Sequence, residues 1–179
     1  MLEFREFGKI ARLSRDCTIT EKIDGTNACI YIGEDCSFRT GSRTRWITPE
    51  DDNHGFSKWA HDHVIDLLRL GPGFHYGEWW GRGIQRGYDQ AEKIFSLFNV
   101  SRWSDNDIRP YCCRVVPVLA RGIFSSDVAI SAVEHLRATG SAAAPGFMNP
   151  EGIIIWHDAA QTYFKKTLDR DDEWKGKAK

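Results

Sequence analysis

The chain has 179 residues, of which 41% are hydrophobic and 27% charged. Ten phenylalanines, seven tryptophans and five tyrosines are far more than a disordered chain holds, and the length suffices for one buried core. The formal net charge of −1 argues against a strongly basic nucleic-acid coat but leaves room for a local basic groove. No stretch has the ~18 apolar residues that a membrane-spanning helix needs, so we expect no membrane association.

The N-terminus and the cysteines both favour a cytoplasmic protein. Residues 1–16 carry charges every few positions and lack the apolar centre of a secretory signal. The five cysteines are an odd number without the spacing of a disulfide framework, so we expect reduced thiols. We also expect the chain to be a monomer.

The first half of the chain is predicted to be mostly extended. Residues 18–32 are rich in β-formers but are interrupted by the segment EKIDGTN, and residues 30–39 are typical of a β-hairpin. Apolar residues recur at helical spacing over 55–70, where Ser57 is the expected N-cap. A strand over 74–80 and a glycine-rich loop follow.

The second half adds short strands at 94–100 and 113–119 and one helix over 126–139, with Ser126 as the expected cap. Residues 152–156 and 162–166 predict a final hairpin. Because strands dominate and helices are few, we predict an α+β fold with antiparallel sheets.

The first candidate for chemistry is Lys22, in the segment EKIDGTN at residues 21–27. The lysine lies between two acids and precedes a glycine turn. A lone K-x-D-G is more often a surface hairpin with an ion-paired lysine. The functional alternative is a lysine nucleophile, whose amine attacks phosphorus only when it is deprotonated.

Further charged residues that nucleotidyl transfer needs follow Lys22 along the chain. Glu78 ends an aromatic strand in HYGEWWG, and Glu151 directly precedes an apolar strand. Lys165 and Lys166 lie on the final strand. A nucleophilic lysine, two carboxylates for ribose and metal, and cations for phosphate together make a complete set for that reaction.

This ordered set resembles the covalent nucleotidyltransferase superfamily of ATP-dependent ligases and mRNA capping enzymes. It is most similar to the RNA ligase branch typified by phage RNA ligase 2 and trypanosome RNA-editing ligases. In that branch motif I reads much like EKIDGTN, and the GE motif continues into a G-x-G-I-Q loop, here residues 81–85. The resemblance extends over residues 20–168. It implies an antiparallel-sheet nucleotidyltransferase (adenylation) domain over 1–168 without an OB-fold, followed by a charged tail over 169–179.

The resemblance implies a role for each matched residue. Lys22 would be the nucleophile, Glu78 would hold the ribose hydroxyls and Phe98 would stack on the purine. Glu151 would bind the catalytic metal, Mg²⁺ or Mn²⁺, and Lys165 would assist catalysis at the phosphates. Further contacts to the nucleotide are expected from Glu21, Ile23, Asn27, Arg43 and Lys166.

Two of these assignments have competitors. The family pattern at motif V is usually K-x-K, whereas this chain has adjacent lysines. Neighbours on a strand face opposite sides, so only one lysine can face the site, and we favour Lys165 over Lys166. In motif Ia both Arg39 and Arg43 match, and counting from Lys22 favours Arg43.

RNA contacts are expected at the rim of the site. The cations nearest to motif Ia and the glycine loop are Arg39, Arg43, Arg45, Arg82 and Arg86. We also expect strand alternation to bury only one of Trp79 and Trp80.

The resemblance implies an ATP-dependent RNA ligase that forms a lysyl–AMP intermediate and joins RNA 5′-phosphate to 3′-hydroxyl ends. RNA ends or nicked RNA are the expected substrates, and a separate RNA-binding partner would complement so small a core. A DNA ligase or a GTP-using capping core is a second hypothesis, disfavoured by the G-x-G-I-Q segment. A non-catalytic nucleotide-binding module is a third, disfavoured by the intact set of Lys22, Glu78 and Glu151.

Overall fold

The structure is a computed structural model that describes residues 3–169, so the predicted tail over 169–179 lies almost entirely outside the described residues. Along this part of the chain the strands and α-helices are β1 Asp16–Lys22, β2 Thr26–Ile32, β3 Phe38–Ser42, β4 Trp46–Ile47, α1 Phe56–Asp62, α2 Val64–Leu67, β5 Gly73–Gly81, β6 Lys93–Leu97, α3 Val100–Trp103, β7 Cys113–Val115, β8 Val118–Ile123, α4 Ser126–Thr139, β9 Gly152–His157 and β10 Thr162–Thr167. Over residues 3–169, no helix is both long enough and apolar enough to cross a membrane.

The strands form two sheets, each with helices on one face. The smaller sheet has the order β10-β9-β1-β8, and α4 covers the face that carries Ile19, Ile153 and Ile155. The larger sheet has the order β4-β3-β2-β5-β6-β7, and α1 and α2 cover the face that carries Ile30 and Trp79. The predicted α+β fold built on antiparallel sheets is confirmed, with one exception. Strands β6 and β7 are parallel. The segment between them, which contains α3, returns the chain to the start of β6, so β7 runs in the same direction at the edge of the sheet.

The interruption predicted within 18–32 marks a crossing between the two sheets. β1 belongs to the smaller sheet and β2 to the larger, so residues 23–25 do not form a hairpin turn. Gly25 is needed at this crossing, because a Cβ there would lie only 2.5 Å from the carbonyl oxygen of Trp79. Motif I therefore holds the two sheets together at the position of Lys22.

The helix predicted over 55–70 exists but is broken at His63, and Ser57 is not its N-cap. The helix begins after Gly55, and the backbone N–H groups of Ser57 and Lys58 donate to the carboxylate of Asp52 at 2.8 and 2.9 Å. The Ser57 hydroxyl is instead buried against Thr40. An acceptor five residues upstream thus replaces the local cap that the sequence suggested.

Two other boundaries differ from the prediction. The cap of α4 is Ser125 rather than Ser126, and its hydroxyl accepts from the N–H of Val128 at 3.2 Å. Residues 113–119 are split into β7 and β8, which lie in different sheets. Pro117 lies between them, and its carbonyl accepts from the N–H of Glu21.

Candidate active site

Lys22 and Glu151 meet because of the register between β1 and β9. Lys22 is the last residue of β1 and lies opposite Gly152, the residue after Glu151. The Nζ of Lys22 is 2.5 Å from an Oε of Glu151, and the two side chains are only 22% and 18% exposed. Gly152 has no room for a side chain, because a Cβ there would collide with the backbone of Lys166. The structure thus brings together two of the predicted site residues.

Glu78 approaches this pair from the larger sheet. It lies on β5 opposite Asn27 on β2, so the two side chains share one face, and a Glu78 oxygen accepts from the Gly25 N–H at 3.0 Å. Desolvation on burial raises the pKa of Glu78 to about 7, while the charge of Lys22 and the Gly25 bond pull it down. The charge of Glu151 raises it further. The three residues that the sequence analysis singled out therefore lie together where the sheets meet.

A clamp on the motif I turn was not foreseen from the sequence. The N–H of Asp24 donates to the hydroxyl of Tyr88 at 2.9 Å, and the Asp24 carboxylate accepts from Arg86 at 3.1 Å. The same guanidinium donates to Asn149 and to the carbonyl of Pro150, next to Glu151. Arg86, expected as a cation for RNA, instead joins the turn after Lys22 to the segment before Glu151. Nothing in the local sequence signalled this, because the contacts cross more than sixty residues.

Glu21 lies on the opposite side of β1 from Lys22, as strand alternation requires. Its side chain is 1% exposed and accepts hydrogen bonds from Ser141 Oγ at 2.6 Å and from the N–H groups of Ala142 and Ala143 at 2.8 and 2.9 Å. Burial raises the pKa of Glu21, while these bonds lower it. Its carboxylate is therefore committed to the loop after α4 and not to the face that carries Lys22.

The prediction that one tryptophan of the pair would be buried is wrong, because both are. Trp79 packs under α1 against Phe56, at a ring distance of 5.4 Å. Trp80 faces the other way against Tyr88, at 5.3 Å, and its Nε1 donates to Ser96 Oγ at 2.9 Å. Both faces of β5 are covered at this point, by a helix on one side and by the glycine loop on the other.

Two predicted nucleotide contacts belong to the cluster around Trp80. Ile23 is buried there, and Phe98 is half-buried against it. The N–H of Phe98 donates to the carbonyl of Tyr76 at 3.0 Å, which extends the pairing of β6 with β5 by one residue. Ser96 pairs with Glu78 and shares its face of the sheet. Phe98, two residues after Ser96, therefore lies on that face as well.

The lysines of β10 lie on opposite faces of the smaller sheet. Lys165 pairs with Ile154, which pairs with Thr20, on the same face as Lys22. Lys166 pairs with Ile153 on the face that α4 covers. Of the two lysines, Lys165 therefore shares the side of the sheet that carries the ion pair.

The register also distinguishes the two arginines of motif Ia. Ala28 pairs with Ser42, so one step further position 43 falls level with Asn27 and Glu78. Arg39 pairs with Tyr31, about 13 Å further along the strand at ~3.3 Å per residue. Position 43, exposed in the turn after β3, is the nearer one to Glu78 along the strand.

Glu78 and Glu151 supply carboxylate oxygens of the kind that a divalent cation binds. Within residues 3–169, no group of three or more His, Cys, Asp or Glu side chains is arranged to hold a metal ion. Mg²⁺ is commonly bound through one or two carboxylates, with phosphate oxygens and water completing the shell. Glu151, with Glu78 close enough to feel its charge, provides oxygen donors of that kind.

Comparison with solved structures relates the fold to known proteins. Two glutamate-to-alanine variants of an RNA ligase from Naegleria gruberi, one with ATP and manganese and one with AMP and manganese, match with TM-scores of 0.64 and 0.60. Their sequence identities to this chain are 17% and 15%, and they cover 88% and 87% of it. A lysine-to-alanine variant with ATP and manganese matches with a TM-score of 0.58 at 16% identity over 86% of the chain.

The chain spans about half the length of these structures, namely 51%, 50% and 49% of them. No curated protein matches its sequence. Residues 15–168, by contrast, match the model of the family described as RNA ligase. This match covers most of the chain and includes both carboxylates and the lysine of the site. The chain therefore belongs to the RNA ligase family.

Proposed function

We propose that this chain is an ATP-dependent RNA ligase in which Lys22 becomes covalently joined to AMP. The observation that supports this most is the contact between Lys22 and Glu151 at the junction of the two sheets, beside Glu78. The related Naegleria structures contain ATP or AMP with manganese, which supports the same class of nucleotide and cation here.

In the first step the deprotonated amine of Lys22 attacks the α-phosphorus of ATP. A nitrogen–phosphorus bond forms, the bond to the β-phosphate oxygen breaks, and pyrophosphate leaves, while the remaining extra proton on nitrogen passes to solvent. A divalent cation held by Glu151 would neutralise charge on the phosphates. The order of the strands supplies the alignment, because it places Lys22 and Glu151 side by side on the smaller sheet and Glu78 opposite them on the larger sheet.

In the later steps the nucleotide is passed to RNA. An oxygen of the RNA 5′-phosphate attacks the phosphorus of the lysyl–AMP, the nitrogen–phosphorus bond breaks, and the amine takes up a proton. The 3′-hydroxyl of the other strand then attacks the activated 5′-phosphate, loses its proton and displaces AMP. The products are a phosphodiester bond and free AMP.

Each remaining residue has a part in this proposal. Glu78 would contact the ribose, and Phe98 would stack on the purine. Asn27, which pairs with Glu78 across β2 and β5, would contact a phosphate. Arg43 and Lys165 would contact the phosphates, with Lys166 as the weaker candidate because it lies on the α4 face. Glu21 and Ile23 would contact the nucleotide through their main chain, since both side chains are buried elsewhere.

We further propose a cytoplasmic monomer that acts on RNA ends or nicks, assisted by a separate RNA-binding partner. The absence of a membrane-spanning helix among the described residues is compatible with this location. Size-exclusion chromatography with light scattering measures the oligomeric state, and a dimer would contradict the proposed monomer.

The test of the proposal is transfer of AMP to the protein. Incubating purified chain with Mg²⁺ and ATP labelled on the α-phosphate should give a labelled protein whose mass rises by one AMP. Lys22→Ala should abolish the label, and Lys22→Arg should do so as well, because arginine stays protonated. The exposed Lys58 provides the matched control, since Lys58→Ala should label normally.

Parallel reactions with GTP and NAD separate the RNA ligase hypothesis from the capping and DNA ligase hypotheses. Nucleotide binding without any adduct would instead favour the non-catalytic module. Label that persists in Lys22→Ala would contradict the assignment of the nucleophile.

A further inference from the structure

A row of exposed aromatic rings lies on the same face of the larger sheet as Glu78. Tyr31, Trp46, Phe74 and Tyr76 form this row, which we call the aromatic platform. Phe74, Tyr76 and Trp46 are 54%, 51% and 47% exposed, and Tyr31 is half-buried between them. Single exposed apolar residues are normal on protein surfaces, whereas a contiguous patch of large apolar groups commonly marks a binding surface.

Register places all four rings on one side of the sheet. Tyr31 pairs with Phe74, Tyr76 lies two residues further along β5, and Trp46 packs across Gly41. The rings of Phe74 and Tyr76 are 6.0 Å apart and inclined by only 8°, and those of Trp46 and Phe74 are 6.2 Å apart at 26°. Phe74 and Tyr76 share β5, and the Trp46 ring reaches Phe74 from β4. Near-parallel, half-exposed rings in one row suit stacking of planar ligands better than burial of an irregular side chain.

The platform is continuous with the proposed active site. Phe74, Tyr76 and Glu78 alternate along one face of β5, so the row extends about 13 Å from Glu78 at ~3.3 Å per residue. The backbone carbonyl of Tyr76 also accepts a hydrogen bond from the N–H of Phe98, the proposed purine contact. A strand whose end reacts near Lys22 could therefore lay its next nucleotides along this surface.

The charges around the platform favour a polyanion. The guanidinium of Arg39 lies 5.9 Å from the centre of the Trp46 ring, and Arg43 is exposed in the turn before Trp46. Arg45 is engaged by Asp51. Hydrogen bonds from Ser37 lower the pKa of Asp35, and the nearby charge of Arg39 adds a smaller attraction. Asp35 is exposed, so solvent screens this attraction and leaves the arginine available to a phosphate.

We propose that the aromatic platform stacks the unpaired bases of the RNA strand that enters the active site. This inference rests on the proposed function, because the choice of RNA as the ligand comes from the proposed ligase activity. Sheets that carry aromatic rings on adjacent strands bind single-stranded nucleic acid in this way, whereas a duplex keeps its base faces in the helical stack. The preferred substrate is then RNA with single-stranded nucleotides next to the reacting end, in preference to a nick in a continuous duplex.

Binding measured without ATP tests this proposal. Fluorescence anisotropy would compare a labelled single-stranded RNA, a blunt duplex of the same sequence, and a strand of the same length whose central nucleotides are abasic. The variant Phe74→Leu with Tyr76→Leu keeps apolar bulk but removes the aromatic faces. We expect it to weaken single-strand binding about tenfold or more and to leave the duplex and the abasic strand unchanged.

Control variants separate stacking from folding and from general loss of surface. Phe74→Tyr with Tyr76→Phe keeps the aromatic faces and should bind like the parent chain. Tyr111→Leu removes an exposed ring from the segment before β7 and should also have no effect. Thermal unfolding of each variant shows whether the fold survives. If the leucine pair is unstable, the parent chain still tests the proposal, because it should bind the intact strand more tightly than the abasic one.

The outcomes are distinct. Unchanged single-strand affinity in the leucine pair would overturn the inference, and so would an equal loss for the abasic strand, which would show phosphate contacts alone. A self-association lost in the leucine pair, without any change in RNA affinity, would assign the surface to a second copy of the chain and overturn it too. Failure of the parent chain to form lysyl–AMP, with stacking intact, would instead refute the proposed ligase activity.

Discussion

Two carboxylates lie next to Lys22, and burial raises the pKa of both. Glu21 precedes Lys22 in the sequence, and Glu78 contacts the turn after Lys22 through the Gly25 N–H. Their surroundings differ in the number of donors. Glu21 accepts from one hydroxyl and two backbone N–H groups, whereas among the described residues Glu78 accepts only from the Gly25 N–H. The first is a structural carboxylate whose oxygens the protein occupies, and the second retains lone pairs for a ligand.

The end of β1 thus contributes to stability through one side chain and to the proposed chemistry through the next. Alternation along β1 sends Glu21 towards α4 and Lys22 towards the other sheet. These two neighbouring residues of motif I thus anchor a loop on one face and offer an amine on the other. Like Glu78, Glu151 lies on the proposed reaction side, since its partner is Lys22, the proposed nucleophile.

The largest effect is expected for removing the satisfied carboxylate. Glu21→Ala leaves Ser141, Ala142 and Ala143 without their shared acceptor and should lower the free energy of unfolding by about 3–5 kcal/mol. Urea denaturation measures this loss. Ser141→Ala removes only one of the donors and should cost about 1 kcal/mol. A Glu21→Ala protein as stable as the parent would contradict the structural role of Glu21, because the carboxylate would then not hold the loop.

The second effect concerns Glu151, whose substitution should impair activity rather than stability. Glu151→Gln keeps the shape but removes the charge that pairs with Lys22 and would hold a cation, so adenylylation should fall about 100-fold or more. The initial rate of labelling as a function of Mg²⁺ concentration measures this fall. Glu134→Gln, on the exposed side of α4, is the matched control and should label normally. An unchanged Mg²⁺ dependence in Glu151→Gln would refute its metal role.

The sequence predicted the site residues and most strands better than it predicted how the strands are arranged in the two sheets. Lys22, Glu78 and Glu151 were identified from their order along the chain, and most strands fall where the β-former runs predict them. The crossing of residues 23–25 between sheets was not predicted, because a glycine turn between two strands is equally typical of a hairpin.

The contacts that order the site were also missed from the sequence. The clamp of Asp24 by Arg86 and Tyr88 is a long-range contact, and no local pattern encodes it. The same is true of Asp52, which replaces the Ser57 cap from outside the helix. Periodicity reports which face of an element is apolar, whereas these contacts depend on how the elements are placed in three dimensions.

The third effect is a pH dependence of stability that Glu78 should cause. Its pKa is about 7 in the folded chain against 4.5 ordinarily, so the folded state holds a proton that the unfolded state has already lost between these values. Stability from this group is therefore complete below about pH 4.5 and is lost as the pH rises through 7. The loss should be about 2 kcal/mol, allowing for solvent near a half-buried group.

Comparing Glu78→Gln with the parent chain isolates this contribution. The amide does not titrate, so between pH 5 and pH 8 the variant should lose about 2 kcal/mol less of its unfolding free energy than the parent. Urea denaturation at the two pH values gives the difference. Parallel pH profiles for the two proteins would show that Glu78 is as well solvated as an ordinary glutamate, and the contrast with Glu21 would then rest on geometry alone.

The smallest effect separates the two possible roles of Phe98, which packs in the cluster with Trp80 and is also the proposed purine contact. Phe98→Leu keeps most of the apolar volume but removes the aromatic face, so ATP affinity should fall by about 1–2 kcal/mol with little change in stability. Isothermal titration and thermal unfolding, made on the same samples, report the two quantities. Phe98→Trp retains an aromatic face and should bind ATP more nearly like the parent if the pocket accommodates the larger ring. If both variants lose stability and affinity in proportion, Phe98 acts as a core residue, and the purine must be held by another part of the cleft.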